Sequence, residues 1–363
     1  MSVFNQAETR ISITMPKQDQ RVGEGATAIQ TTGDVSIGIS PVQMGEIMMS
    51  LASQLHIYFS DAETKAEERF QKFRDDVLEQ FANTERANPE AFKEPDFQYL
   101  LRDAQAAFAR SGDEDVGNAL VGLLAQRSLL TSGSRAALIL NQATETVSKL
   151  TKEELAVLTV GFVLIYTGGG AGNYSQLLAR IESLVVPLID SLPSGRTSHD
   201  YLASLGCISI VEMVIRDLSQ VWLTTYSGIF STGFEEAELS AVLPDAARFA
   251  LLSPVLMRCL NSPGKLQFNA ASDGELPSIL KSRGLSDDEI GALTTLAQSK
   301  KMSGSDVADR LRGDIPGYDK LEAVWQDTPL NKINLTALGI ALAHANAVRL
   351  WPDFGAPLSI WLS

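Results

Sequence analysis

From Pro41 onward the apolar residues recur mostly at three- and four-residue intervals, the spacing of one face of an α-helix. Met44, Ile47, Met48, Leu51, Leu55 and Tyr58 open the series, behind Ser40 as an N-cap and Pro41 as a first-turn residue. Ser60 with Glu63 reads as a capping box that starts a second helix running to about Ala82. Phe70, Phe73, Val77 and Phe81 mark its apolar face, and Asp61/Lys65 and Glu68/Lys72 sit one turn apart on the others. Further helices are predicted over 95–111, 114–130, 133–149, 151–166 and 173–191, with connections short enough for antiparallel neighbours. Thr151 with Glu154 is another capping box. Residues 198–226 are mixed, with Leu202, Leu205, Val211, Val214, Ile215, Leu218 and Val221 fitting a helix better than a strand, and helices near 235–243 and 244–252 follow.

Three segments depart from this pattern. Residues 8–39 hold strand-like pieces at 11–15, 26–29 and 35–39, separated by turns at Gly23, Gly25 and Gly33. Ile11, Ile13, Met15, Val35, Ile37 and Ile39 would share one apolar face of these strands. Three short strands cannot make a core alone, so they dock on the helices or pair with copies of themselves. Residues 261–274, rich in Asn, Ser, Pro and Gly, read as a linker. Beyond it, a capping box at Ser286 and Glu289 feeds a helix, and a turn at 300–304 leads to a short second helix at 305–311. A third helical piece (316–327), a strand at 333–335 and a last helix at 337–350 complete a pattern that resembles a winged-helix unit. The tail, 358–362, alternates like an edge strand. The expected architecture is mostly α: a β-rich arm (1–40), a multi-helical body (41–260) and a winged-helix-like C-terminal domain (275–363).

Composition narrows the partners. Of 363 residues, 45% are hydrophobic and only 7% aromatic, a mix that favours packed helices over a β-sandwich. The net charge of −14, with no long basic run, argues against non-specific binding to nucleic acid or to anionic membranes. No apolar run reaches the ~18–20 residues of a membrane span. Residues 1–20 have no apolar core of a secretory leader. Cys207 and Cys259 sit in apolar settings and are expected as free thiols of a reducing compartment. A cytoplasmic protein is the expectation.

Little of the chain nominates chemistry. The three histidines, His56, His199 and His344, are scattered, and neither cysteine has a second one nearby, so neither a metal site nor a cofactor is expected. His199 and Asp200 resemble the paired residues of HD-type phosphohydrolases. That family needs a further upstream histidine, and His56 is over a hundred residues away on a different predicted helix. Gly168, Gly169, Gly170 and Gly172 follow an apolar run, but no P-loop lysine accompanies them, and Ser175 stands where a dinucleotide fingerprint has its third glycine. The loop reads as a helix–helix connector; a nucleotide or enzymatic site there is the alternative. A winged helix would bring Ser303, Ser305, Arg310 and Arg312 toward a DNA groove. Against that, residues 273–327 carry eleven acidic and seven basic side chains.

Gly33-Asp34-Val35-Ser36-Ile37 ahead of the first helix, and Leu335-Thr336-Ala337-Leu338-Gly339 with Ala345-Asn346, resemble a loose class of bacterial proteins. Their N-termini carry polar, Gly-rich repeats ending in a Gly-Asp-Val-x-Ile strand, and some are encoded near phage-defence genes. The resemblance implies a bacterial cytosolic protein with a defence or sensing role, and no catalytic residue carries over. The functional expectation is a non-enzymatic scaffold or sensor that forms a homo-oligomer through its arm and takes a protein partner. The rivals are a sequence-specific DNA-binding regulator and an enzyme or nucleotide binder near 168–172.

Overall fold

Many helices in this chain start at a capping side chain, among them Asn88, Asp113, Ser134, Thr151, Ser286 and Thr336. The computed structural model describes residues 41–82, 87–168, 171–270 and 272–362. The arm residues Ile11, Ile13, Met15, Val35, Ile37 and Ile39 lie outside them. The chain is mostly helical and divides into two compact units, 1–61 and 62–363. Helix α1, Pro41–Ala82, is continuous through Ser60 and Asp61, where a break was expected. No glycine or proline follows Gly45 within it, and both residues are exposed at mid-helix, so the capping box has no chain break to cap.

In the second unit, a 3₁₀ turn at Pro89–Lys93, capped by Asn88, leads to α2, Pro95–Ser111, which ends at Gly112 with φ +61°. Asp113 caps α3, Glu114–Ser128, and Ser134 caps α4, Arg135–Val147. The Thr151/Glu154 capping box forms as expected at the start of α5, Lys152–Gly161, which continues into a π-helical turn, Phe162–Tyr166. Then come α6, Tyr174–Leu184, the short α7, Val186–Ile189, and α8, Thr197–Ser204. The stretch 198–226, read as mixed with a helical lean, holds two helices and a strand between them. Gly206, with φ +74°, turns the chain into β1, Ile208–Ile210, and Asp217 then caps α9, Leu218–Thr225.

Next follow α10, Glu236–Val242, α11, Ala246–Leu252, and the strands β2, Leu256–Arg258, and β3, Leu266–Phe268. These strands pair antiparallel, Leu256 opposite Phe268. The polar stretch expected as a linker is therefore the turn of a hairpin, with Gly264 at φ +86°. Then come α12, Leu276–Ser282, α13, Asp287–Ser299, α14, Gly304–Asp314, and α15, Tyr318–Asp327. Strand β4, Ile333–Leu335, precedes α16, Ala337–Leu350, and the chain closes with α17, Ser359–Leu362. That last turn is helical where an edge strand was expected. Trp361 packs on Phe162 at 4.9 Å and donates its indole N–H to the Tyr166 carbonyl, which fixes the segment without a strand partner.

Two buried clusters hold these elements. The larger surrounds α16, which packs on α3, α4 and α5 and is buried on all sides from Leu338 to Ala347. Ala341, Ala343, Ala345 and Ala347 let those neighbours come close. The smaller joins Phe234, Leu239, Leu252, Phe268, Leu280 and Leu293. It takes elements from both sides of the expected boundary at 261–274. The expected turn between α13 and α14 is present, but β4 finds its antiparallel partner in β1, Ile208 opposite Leu335, rather than in a wing of its own. Among the described residues, no helix is long and apolar enough to cross a membrane.

Candidate functional site

The residues expected at a DNA groove, Ser303, Ser305, Arg310 and Arg312, bond to neighbours in the chain while staying exposed or half-buried. Ser303 caps α14, accepting the Asp306 N–H and donating to the Asp306 carboxylate at 2.6 Å; Ser305 Oγ lies 2.9 Å from Ser303 Oγ. Arg310 lies over the Tyr174 ring at 3.8 Å and donates to Asn261 Oδ1. Arg312 pairs with Asp309, Asp319 and Glu322 at 2.6, 2.7 and 2.9 Å. Arg310 and Arg312 thus share a helix; Arg312 is paired with three carboxylates, whereas Arg310 contacts a ring and a neutral amide. The Tyr174 hydroxyl in turn donates to Asp314 at 2.7 Å, and burial together with that carboxylate pushes its pKa up.

His199 is fully buried on α8, its Nδ1 3.2 Å from the Gly195 carbonyl, whereas Asp200 is exposed and pairs with Arg196 at 3.0 Å. The two adjacent residues face opposite ways and do not converge. In the glycine loop, Gly169 and Gly170 lie outside the described residues. The Gly172 N–H is taken by Gln176 Oε1 at 2.8 Å, and Asn173 caps α6. Among the described residues no group of histidine, cysteine and carboxylate side chains is placed to hold a metal ion.

The structure instead shows a cavity of about 480 Å³. Its floor is α3 and α4, where Gly122, Ala125 and Ala136 leave room, and its walls include Leu140, Val348 and the segment from Phe354 to Leu362. That segment is tied down beside His344: the rings of Phe354 and Trp361 lie 5.6 and 5.8 Å from the imidazole. His344 Nε2 is 2.9 Å from the Ala356 carbonyl. A carbonyl only accepts, so Nε2 carries the proton and Nδ1 is a bare acceptor. His344 is 4% exposed, and burial pulls its pKa down against the smaller opposing effect of the Ala356 bond. The imidazole is neutral at pH 7. His344 and Gln126 line the cavity, but the His344 Nδ1 and Gln126 Oε1 atoms themselves have almost no accessible surface and no hydrogen-bond partner among the described residues. None of the described lining residues is Asp, Glu, Lys or Arg. Sequence reasoning weighed His344 only as a metal ligand and passed over the cavity. The available signal was a lone histidine in an alanine-rich helix, where small neighbours leave space around a polar ring.

A family model whose description, "-like", names no activity matches residues 38–362, nearly the whole chain, and the chain belongs to that family. No curated relative and no solved structure matches it.

Proposed function

We propose that this chain is a non-enzymatic interaction protein that self-associates through its N-terminal unit, with the helical body acting as sensor or scaffold. The observation that carries this reading is the first half of α1. Met44, Met48, Leu51, Leu55, Tyr58 and Ala62 follow at alternating intervals of four and three residues, the repeat with which one helix meets an identical one in a coiled coil. Phe59, at the edge of that stripe, is 71% exposed, and Met49 is exposed beside it. A second copy of the same helix is the natural occupant, because the heptad repeat is self-complementary. The arm residues Ile11, Ile13, Met15, Val35, Ile37 and Ile39 would extend this interface as paired strands. The likeness to bacterial proteins encoded near phage-defence genes supplies a setting, intracellular conflict, in which a further protein partner would read the assembled state.

Light scattering on the full chain tests the reading. The wild type is expected to be oligomeric at tens of micromolar, and Leu51→Asp with Leu55→Asp to give a smaller particle of unchanged helicity. A monomeric wild type, or a variant of unchanged subunit number, would overturn it. The rival, a DNA-binding regulator using a winged helix at 275–363, draws support from the α13–turn–α14 pair. It lacks it at Arg312, whose charge is paired with Asp309, Asp319 and Glu322.

A further inference from the structure

We propose that a second cavity, where the first turns of α3 and α5 meet α7 and the last turn of α16, binds a small organic monoanion: a carboxylate with a short apolar body. The inference stands apart from self-association, since all four helices belong to the second unit. The cavity has a volume of about 230 Å³. Drug-sized sites run to roughly 300–1,000 Å³, so this one admits a fragment of a few heavy atoms rather than a nucleotide. Leu155, Leu188 and Leu350 supply its apolar wall, and Asp115, Lys152, Ser191 and Arg349 its polar one.

Arg349 is held by a chain of bonds that runs out of the core. Thr159 and Asn346 are both fully buried. The Thr159 hydroxyl donates to the Leu155 carbonyl at 2.7 Å, and the Asn346 amide donates to that hydroxyl at 2.8 Å. Arg349 Nε then donates to Asn346 Oδ1 at 2.9 Å. Burying an amide in an alanine- and leucine-rich helix costs desolvation, and what this amide does with its bonds is fix a guanidinium. Such support sets an arginine fork in advance of its ligand. Asp115 pairs with Nη1 at 2.8 Å, and the arginine side chain stays 23% accessible. Nη2 has no partner among the described residues, and neither has the ammonium of Lys152, exposed in the first turn of α5. Both are donors only, so the group that completes them accepts. Charge selects among acceptors. Lys152 and Arg349 against Asp115 leave the described lining at +1, in a chain of net charge −14. A single negative charge balances it. A phosphate dianion would exceed it and lie against Asp115, and a neutral amide would forgo the stronger, charge-assisted bonds.

Calorimetry and saturation-transfer NMR on the full-length protein at pH 7.5 and low salt, with butyrate, butyramide, butylammonium and inorganic phosphate, test the assignment. Butyrate is expected to bind saturably at one site per chain. Butyramide, equal in shape but uncharged, is expected to bind about tenfold more weakly or worse, phosphate more weakly than butyrate, and butylammonium not at all. Lys152→Met removes a donor that makes no bond among the described residues. It should weaken butyrate binding about tenfold while leaving the melting temperature without ligand unchanged. Arg349→Gln should abolish binding. It also breaks the tie to Asp115, so where that variant fails to fold, Lys152→Met and the wild-type ligand series decide the question. An Arg349–Asp115 pair that only joins α16 to α3 predicts no saturable butyrate binding. That result, equal affinity for butyramide or phosphate, or wild-type affinity in Lys152→Met would each overturn the proposal, whatever the subunit number of the protein.

Discussion

Gly339→Ala tests the packing at the start of α16. A Cβ at position 339 would lie 2.1 Å from the carbonyl oxygen of Cys207 and 3.0 Å from its carbon. Carbon and carbonyl oxygen approach to about 3.3 Å at closest, so one backbone segment must retreat by about 1.2 Å. The carbonyl is not free to do so. It accepts the Thr336 N–H at 3.0 Å and the Thr336 hydroxyl at 3.0 Å, and that same hydroxyl caps α16 by accepting from the Gly339 N–H at 3.2 Å. Retreat costs two hydrogen bonds at about 1 kcal/mol each. The overpacking itself costs about 1–3 kcal/mol. Alanine's better helix propensity returns about 1 kcal/mol. The expected net loss is about 2–4 kcal/mol. Gly291, inside α13, has open space where its Cβ would be, so Gly291→Ala should stabilise by up to about 1 kcal/mol. Urea unfolding followed by circular dichroism measures both. If Gly339→Ala keeps the wild-type midpoint, or both variants shift in the same direction, the close approach of α16 to Cys207 is wrong.

Two further outcomes follow. Burial holds the pKa of His199 and of His344 below 6.5, outweighing the opposing bonds to the Gly195 and Ala356 carbonyls. As pH falls through about 6.5 the unfolded chain takes up protons first, so stability is full above that value and is lost below it, by at most about 1.4 kcal/mol per pH unit for each histidine. A urea midpoint unchanged between pH 7.5 and 5.5 would refute this. Arg310→Ala removes the contact with the Tyr174 ring and the bond to Asn261, and should cost about 1–2 kcal/mol in the same assay. It should leave binding to random duplex DNA, measured by anisotropy at physiological salt, as undetectable as in the wild type.

Where structure is set by neighbours in sequence, the chain declares it. The Thr151/Glu154 box, Ser286 before α13 and Thr336 before α16 are read directly, because a cap and its helix lie within four residues. Where structure is set by distant partners, local pattern misleads. Leu358, Ile360 and Leu362 alternate like a strand, yet Trp361 is seated by Phe162 and Tyr166, nearly two hundred residues earlier. The apolar run from Leu202 to Val221 resembles one helix, because nothing nearby shows that Ile208–Ile210 will pair with β4. The step from Leu335 to Gly339 carries, in the sequence, only a family resemblance. Its physical content is a cap that bonds the Gly206 and Cys207 carbonyls and a glycine that clears the Cys207 backbone. The cavity was invisible for the same reason. Its lining residues, Gln126 and His344 among them, come from helices that only the finished fold brings together.

The position of α16 within the larger core also sets a schedule for synthesis. Helices α3, α4 and α5 leave the ribosome early, but the helix that covers their apolar faces is encoded about two hundred residues after α3. At ~5–20 residues per second, those faces wait ~10–40 s for their cover. Strand β1 waits similarly for β4. A nascent chain halted anywhere between α5 and α16 leaves the faces of α3, α4 and α5 that α16 covers exposed, a substrate for holdase chaperones and for aggregation. Rare-codon pauses placed before residue 337 should therefore lower the yield of folded protein.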